Sequence, residues 1–232
     1  MREVKSKAKS QKASVKKTAK GPKKPQRRNA EETIERILKV ATKAFAEKGY
    51  EGASIKEICR DAGVNMAAIH YHFESRENLY KSIIARFGGA ALDAAIRTLQ
   101  PAASLDEFKT RLMIFMTETI AGAAENPDIA LMVIRDMQTH PEILAGFFEK
   151  TFGRSNEALV SFFKDAQKKD LIDPSIRPEF AVGSLQAQIS FVIGHRRLFE
   201  FRYGFDISDA EHRQVWAKGV VDLFVNGLRA RT

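Results

Sequence analysis

The stretch SIKEICRDAGVNMAAIHYHF, residues 54–73, reads as two short helices joined by a tight turn. Ser54 stands at an N-cap position, and Glu57, three residues on, completes the spacing of a capping box. Ile55 and Ile58 give the first helix an apolar stripe over about two turns. Gly63 follows its last turn, where a left-handed residue ends a helix at little cost. Val64 ties the turn to the core, and Ile69 is the buried anchor of the second helix. Cys59, small and one turn before Gly63, lets the second helix cross closely over the first. A small residue, a glycine and an apolar anchor at this spacing meet the steric demand of a helix-turn-helix.

A strongly basic tail precedes this unit. Residues 1–28 hold twelve Lys and Arg against Glu3 alone, while the remaining chain carries 26 basic and 28 acidic residues. The net charge of +9 therefore belongs to the tail, and the body is nearly neutral. The tail has no Leu, Ile or Phe, so the expectation is a disordered segment. Three roles fit that composition: a DNA-tracking arm, a solubilising tail, and a polybasic membrane-surface patch. Together with the helix-turn-helix, the charge points to double-stranded DNA as a partner. The rival DNA reading is an architectural protein without sequence preference, driven by the tail.

Outside the tail the pattern is helical throughout, with no strand alternation and no internal repeat. Glu31 to Lys48 places Ile34, Ile37, Leu38, Ala41 and Phe45 on one face, and Gly49 ends that helix. Ser75 caps a helix running to about Leu99, before Pro101, with Gly88-Gly89 as a possible flex site. Ser104 with Glu107 opens the next helix, and Asn126-Pro127 the one after it. Pro141 opens a run to Lys169 that Gly153 could interrupt. Pro178 to about Tyr203 carries no charge from Phe180 to Gly194, so that helix must be covered on more than one side. Ser208 with Glu211 opens the last helix, whose stripe is Trp216, Val220, Leu223, Phe224 and Leu228. Val215, Gly219 and Asn226 lie off that stripe, free to face a partner.

The expectation is an all-α chain in three parts. Residues 1–28 are the tail, 29–76 a three-helix DNA-binding domain, and 77–232 a helical ligand-binding and dimerisation domain. No apolar run is long enough to cross a membrane, and the start has no apolar leader segment. The single cysteine suits a reducing cytoplasm, and a DNA partner would place the chain at the nucleoid. No catalytic triad order, metal motif or phosphate loop is present, so neither an enzyme nor a cofactor is expected.

The segments AFAEKGYEGASIKEICRDAGV and NMAAIHYHFESRENLY, within Glu31 to Ile84, resemble the DNA-binding domain of the TetR/AcrR family of bacterial transcription regulators. The match lies in Phe45, Gly49-Tyr50, Ser54, Ala62-Gly63-Val64, Tyr71-His72-Phe73 and Ser75-Arg76-Glu77-Asn78-Leu79, with Arg76 where the family often has Lys. The resemblance implies a sequence-specific regulator, a repressor more often than an activator, that leaves a palindromic operator when a small molecule binds. It also implies a homodimer through the two C-terminal helices, about 178–203 and 208–229.

The expected DNA contacts are Ser54, Asn65, Met66, Ala67, Ala68, His70, Tyr71, His72 and Arg76. Ala67 and Ala68 let the backbone approach the bases, and an alanine methyl can touch a thymine methyl. Asn65 has two readings, an adenine contact or a helix cap, and capping is the commoner task. Ser54 and Arg76 sit at helix N-termini, which favour phosphate. His70 and His72, two apart on a helix, point to different sides and do not suit a shared metal. An unidentified small-molecule effector would sit among Phe115, Met116, Thr119 and Met137, with Phe148, Phe152, Phe191 and His195. Such an aromatic and Met stripe is equally the composition of plain core. His195-Arg196-Arg197 could receive an acidic ligand group or cap a helix end.

Overall fold

A computed structural model describes residues 25–139 and 152–228 of this chain. Residues 1–24, which hold most of the basic tail, and residues 140–151, with Phe148 and the expected opening at Pro141, lie outside the described residues. The described residues form ten helices and no strand. They are α1 (Pro25–Gly52), α2 (Ile55–Ala62), α3 (Met66–Phe73), α4 (Arg76–Thr98) and α5 (Leu105–Glu125). After these come α6 (Pro127–Thr139), α7 (Arg154–Lys168), α8 (Pro178–Gly194), α9 (Arg196–Tyr203) and α10 (Ala210–Gly227).

Two hydrophobic cores organise them. The first joins Ile37, Ala41 and Phe45 of α1 to Ile58 of α2, Ile69 of α3 and Tyr80 of α4. Phe45, Tyr50 and Tyr80 meet at its centre, with Tyr80 edge-on to both other rings at 5.0–5.1 Å. This core draws on Leu79, Ile83 and Ile84, beyond residue 76, and on Met132 and Val133 of α6. The second core lies among α5, α7, α8 and α10, around Phe108, Phe162 and Phe163. Helix α4 packs on both α1 and α5, so one continuous rod runs from one core to the other.

The turn between α2 and α3 closes as its sequence dictates. Gly63 adopts φ 64°, ψ 39°, its N–H bonds the Arg60 carbonyl, and the Val64 N–H bonds the Cys59 carbonyl at 2.9 Å. That is a Schellman closure, which needs a residue tolerant of the left-handed region. Cys59 is buried, and burial pushes its thiol pKa up. Gly49 (φ 77°, ψ 173°) breaks the helical path near the end of α1, as expected.

Several local expectations need correction. Ser54 occupies the N-cap of α2 but makes no side-chain cap, and Glu57 pairs with Lys48 at 2.6 Å instead of completing a capping box. Helix α6 opens at Pro127 as expected, the Asn126 carbonyl accepting from the Ala130 N–H at 3.0 Å, but the Asn126 side chain bonds back to Gly122 of α5. The segment 178–203 is two helices, broken at His195, whose N–H and ring both satisfy the Phe191 carbonyl. Asp209, not Ser208, caps α10 by accepting from the N–H groups of Glu211 and His212. Ser208 is diverted to Asp206. On α10 the buried positions are Ala217, Val220, Val221 and Val225, and Leu223 is 80% exposed. The stripe thus turns by one position, and Leu223 joins Val215, Gly219 and Asn226 on the outer face.

Candidate nucleic-acid interface and interior cavity

Helix α3 is held by two buried side chains, Ile69 and Phe73, and exposes Met66, Ala67, His70 and Tyr71 to solvent. Asn65 caps it, its Oδ1 accepting from the Ala68 N–H at 2.9 Å. The cap leaves the side-chain NH₂ of Asn65 as its remaining hydrogen-bonding group. Met66 and Ala67 are exposed on the first turn, and Ala68 is half-buried. Tyr71 is 83% exposed, a large aromatic standing clear of the domain. Its ring meets His72 edge-on at 5.0 Å. His70 is exposed, with Nδ1 2.7 Å from the Glu74 carbonyl at the helix C-terminus. Ser54 is exposed at the start of α2, its hydroxyl unused in capping. The short helix thus presents small residues, an amide and an aromatic at one end of the molecule, a shape suited to the major groove.

Arg76 is differently placed from the others. Its guanidinium lies over the Tyr50 ring at 4.4 Å and its Nη2 bonds Glu51 at 3.1 Å. It ties the start of α4 to the end of α1 and is only partly available to a phosphate. Among the described residues, no group of three or more His, Cys, Asp or Glu is placed to hold a metal.

A cavity of about 280 Å³ opens between α5, α6, α7 and α8. Phe115, Thr119, Met137 and Phe152 line it, as do Val133 and Ile134. Three other expected residues lie elsewhere. Met116 is fully buried in the second core. Phe191 and His195 stack on each other, 4.3 Å between ring centres, on the outward side of α8. The polar cluster beginning at His195 therefore marks a helix break and does not face the cavity. Arg86, Glu118, Ser155 and Gln186 line the cavity although no sequence pattern singled them out. Their spacing on separate helices leaves no local signal.

Helix α6 connects the cavity to the first core. Val133, Ile134 and Met137 face the cavity, while Arg135 and Asp136 grip α1 and α4. Arg135 donates to the Phe45 and Ala46 carbonyls at 3.1 Å each, and its Nε bonds Asp136 at 2.7 Å. A guanidinium there satisfies two carbonyls at the end of α1 and complements the negative end of its dipole. Asp136, 1% exposed, also accepts from the Tyr80 hydroxyl. A second link is the two-pronged ion pair from Arg86 of α4 to Glu35 of α1.

Residues 37–83 match the family model described as bacterial regulatory proteins, tetR family. The chain is 26% identical over 147 residues to the HTH-type transcriptional regulator UidR of Escherichia coli (strain K12), covering 63% of this chain and 72% of that protein. It is 23% identical over 203 residues to the HTH-type transcriptional repressor NicS of Pseudomonas putida, covering 86% and 94% respectively. In fold it is similar to the transcriptional regulator FadR from Bacillus subtilis, solved in complex with stearoyl-CoA. That likeness has a TM-score of 0.67 at 15% identity, over 84% of this chain and 99% of that one.

Proposed function

We propose, from the premise that this chain belongs to the tetR family of bacterial regulatory proteins, that it is a sequence-specific repressor. It binds a palindromic operator as a homodimer and is released by a small molecule. The observation that carries the reading is α3 itself, anchored by Ile69 and Phe73 with Met66, Ala67 and Tyr71 standing out from the domain. Ser54, Asn65, Met66, Ala67, Ala68, His70, Tyr71 and His72 make the DNA surface, with Arg76 bracing it. A protein acting on DNA in this way works in the cytoplasm.

One helix-turn-helix reads only a few base pairs, so two copies related by a two-fold axis are needed. The surface that supports this pairing is the outer side of α8 and α10. Phe180, Ser184, Ala187 and Phe191 are exposed at helical spacing on α8, beside Val215, Gly219 and Leu223 on α10. Small residues there allow two helix pairs to approach closely, and the large apolar ones would be buried between them.

Ligand response runs through α6 in this reading. A ligand in the cavity touches Val133, Ile134 and Met137, and any shift of α6 moves Arg135 and Asp136 against α1 and α4. Release requires the ligand to prefer the state whose two α3 helices misfit the operator. A competition assay with palindromic fragments from the source genome against random duplex tests the whole reading. Specific retention of a palindrome supports it. Equal affinity for all duplexes overturns it in favour of an architectural role.

A further inference from the structure

The cavity pairs apolar walls with an unbalanced set of polar groups. Phe115, Val133, Ile134, Met137 and Phe152 supply the walls. Glu118 and Glu125, both exposed, are i and i+7 on α5 and stand at the rim of the same cavity, with Gly122 between them. Neither carboxylate has a cationic partner among the described residues. Arg86, the basic residue of the lining, is already taken by both oxygens of Glu35. Glu125 is also the last residue of α5, whose final turn carries no basic residue. The negative end of the helix dipole therefore adds to the two carboxylates instead of offsetting them.

An independent observation points to an occupant. Ser155, 8% exposed, lines the cavity, and its hydroxyl has no hydrogen-bond partner among the described residues. That hydroxyl is open to the cavity, where a ligand atom can bond it. The side chain of Gln186 is a second lining group without a hydrogen bond among these residues.

We propose that the effector is a small lipophilic cation, an aryl- or alkylammonium, resting on the reading above that this cavity is the effector site. Its apolar body lies against Phe115, Met137 and Phe152. Its ammonium faces Glu118 and Glu125, and a polar atom along the body reaches Ser155. A cavity of about 280 Å³ sits at the lower edge of the ~300–1,000 Å³ usual for small-molecule sites, so the body is compact. An anionic head group would meet two carboxylates of like charge at the cavity rim, which disfavours it.

The test uses three probes with one tail: 4-phenylbutylammonium, 4-phenylbutanol and 4-phenylbutanoate. Each is titrated calorimetrically into the full chain at pH 7. The ammonium should bind roughly tenfold or more tightly than the other two, as a charge-assisted contact requires. The double variant Glu118→Gln with Glu125→Gln should bring the ammonium down to the alcohol, leaving the alcohol where it was. Gly122→Leu should abolish binding of all three, because a side chain at Gly122 meets nothing within 4 Å and would grow into the cavity. Equal or tighter binding of the butanoate, no binding of any probe, or a cation preference that survives the double variant would each overturn the proposal. Palindrome binding is read on the same samples. If it holds while the cation preference is missing, the effector assignment alone fails. If it is missing while the preference holds, the repressor reading fails and the cation site stands.

Discussion

The hydroxyl of Tyr80 on α4 donates to Oδ2 of Asp136 on α6, the two residues lying 56 positions apart in sequence. The bond joins the core beneath α2 and α3 to the helix that walls the cavity. Removing the hydroxyl with Tyr80→Phe keeps the ring packing and leaves a buried carboxylate oxygen without this donor. The expected loss is about 1–3 kcal/mol of folding stability, measured by urea unfolding. A variant as stable as the parent would show the bond to be energetically idle.

The same hydrogen bond has a pH signature. Burial first, then the bond to Asp136 and its negative charge, hold the Tyr80 pKa far above the ordinary value of 10.0. The folded state keeps this proton while the unfolded chain releases it. The stabilisation is therefore full below about pH 10 and is lost progressively as pH rises above that value. Urea midpoints measured across this range should fall more steeply for the parent than for Tyr80→Phe. Parallel curves would refute the assignment.

Tyr71→Ala isolates DNA contact from folding, because the ring touches solvent and no core residue depends on it. Operator affinity should drop by roughly tenfold, about 1.4 kcal/mol, with the unfolding midpoint unchanged. Arg76→Ala should behave differently, lowering both affinity and stability, since its guanidinium braces Tyr50 and Glu51. Affinity unaffected by Tyr71→Ala would remove α3 from the groove.

Leu223→Glu places a charge on the outer side of α10 without disturbing a buried contact. Sedimentation should show a monomer where the parent is a dimer, with palindrome binding lost and single half-site binding weak. A dimer that survives both this change and Phe191→Glu would move the subunit interface elsewhere.

Deleting residues 1–28 should flatten the dependence of log affinity on log salt by about 0.9 for each phosphate the tail had neutralised. Binding isotherms at several salt concentrations measure the slope. An unchanged slope would leave the tail without a role on DNA.

Much of the helix-turn-helix was legible in residues 54–73 because its determinants are local. Gly63, Asn65 and Ser75 each act on neighbours within four residues, and each does in the structure what its position implies. Local reasoning failed where two polar side chains competed for one task. Glu57 preferred Lys48 to the backbone, and Asp209 displaced Ser208 as the cap of α10. It failed again at His195, where the break in 178–203 comes from a glycine followed by a histidine that folds back on Phe191. The cavity was the least legible part. Of the aromatic and Met positions expected there, Phe115, Met137 and Phe152 line it, whereas Met116 and Phe191 face other directions by one helical step.

Periodicity, caps and the joint pattern around the turn were enough, from sequence alone, to give helices, a helix-turn-helix and a family. Those features are written in contacts between residues a turn or less apart, where geometry follows directly from residue type. Tertiary structure alone decided that Arg135 closes the end of α1, that Asp136 finds Tyr80, and that Glu118, Glu125 and Ser155 converge on one space. Each of these depends on how helices far apart in the chain are rotated against one another. A rotation of one residue, about 100° on a helix, exchanges a wall of the cavity for a surface in water.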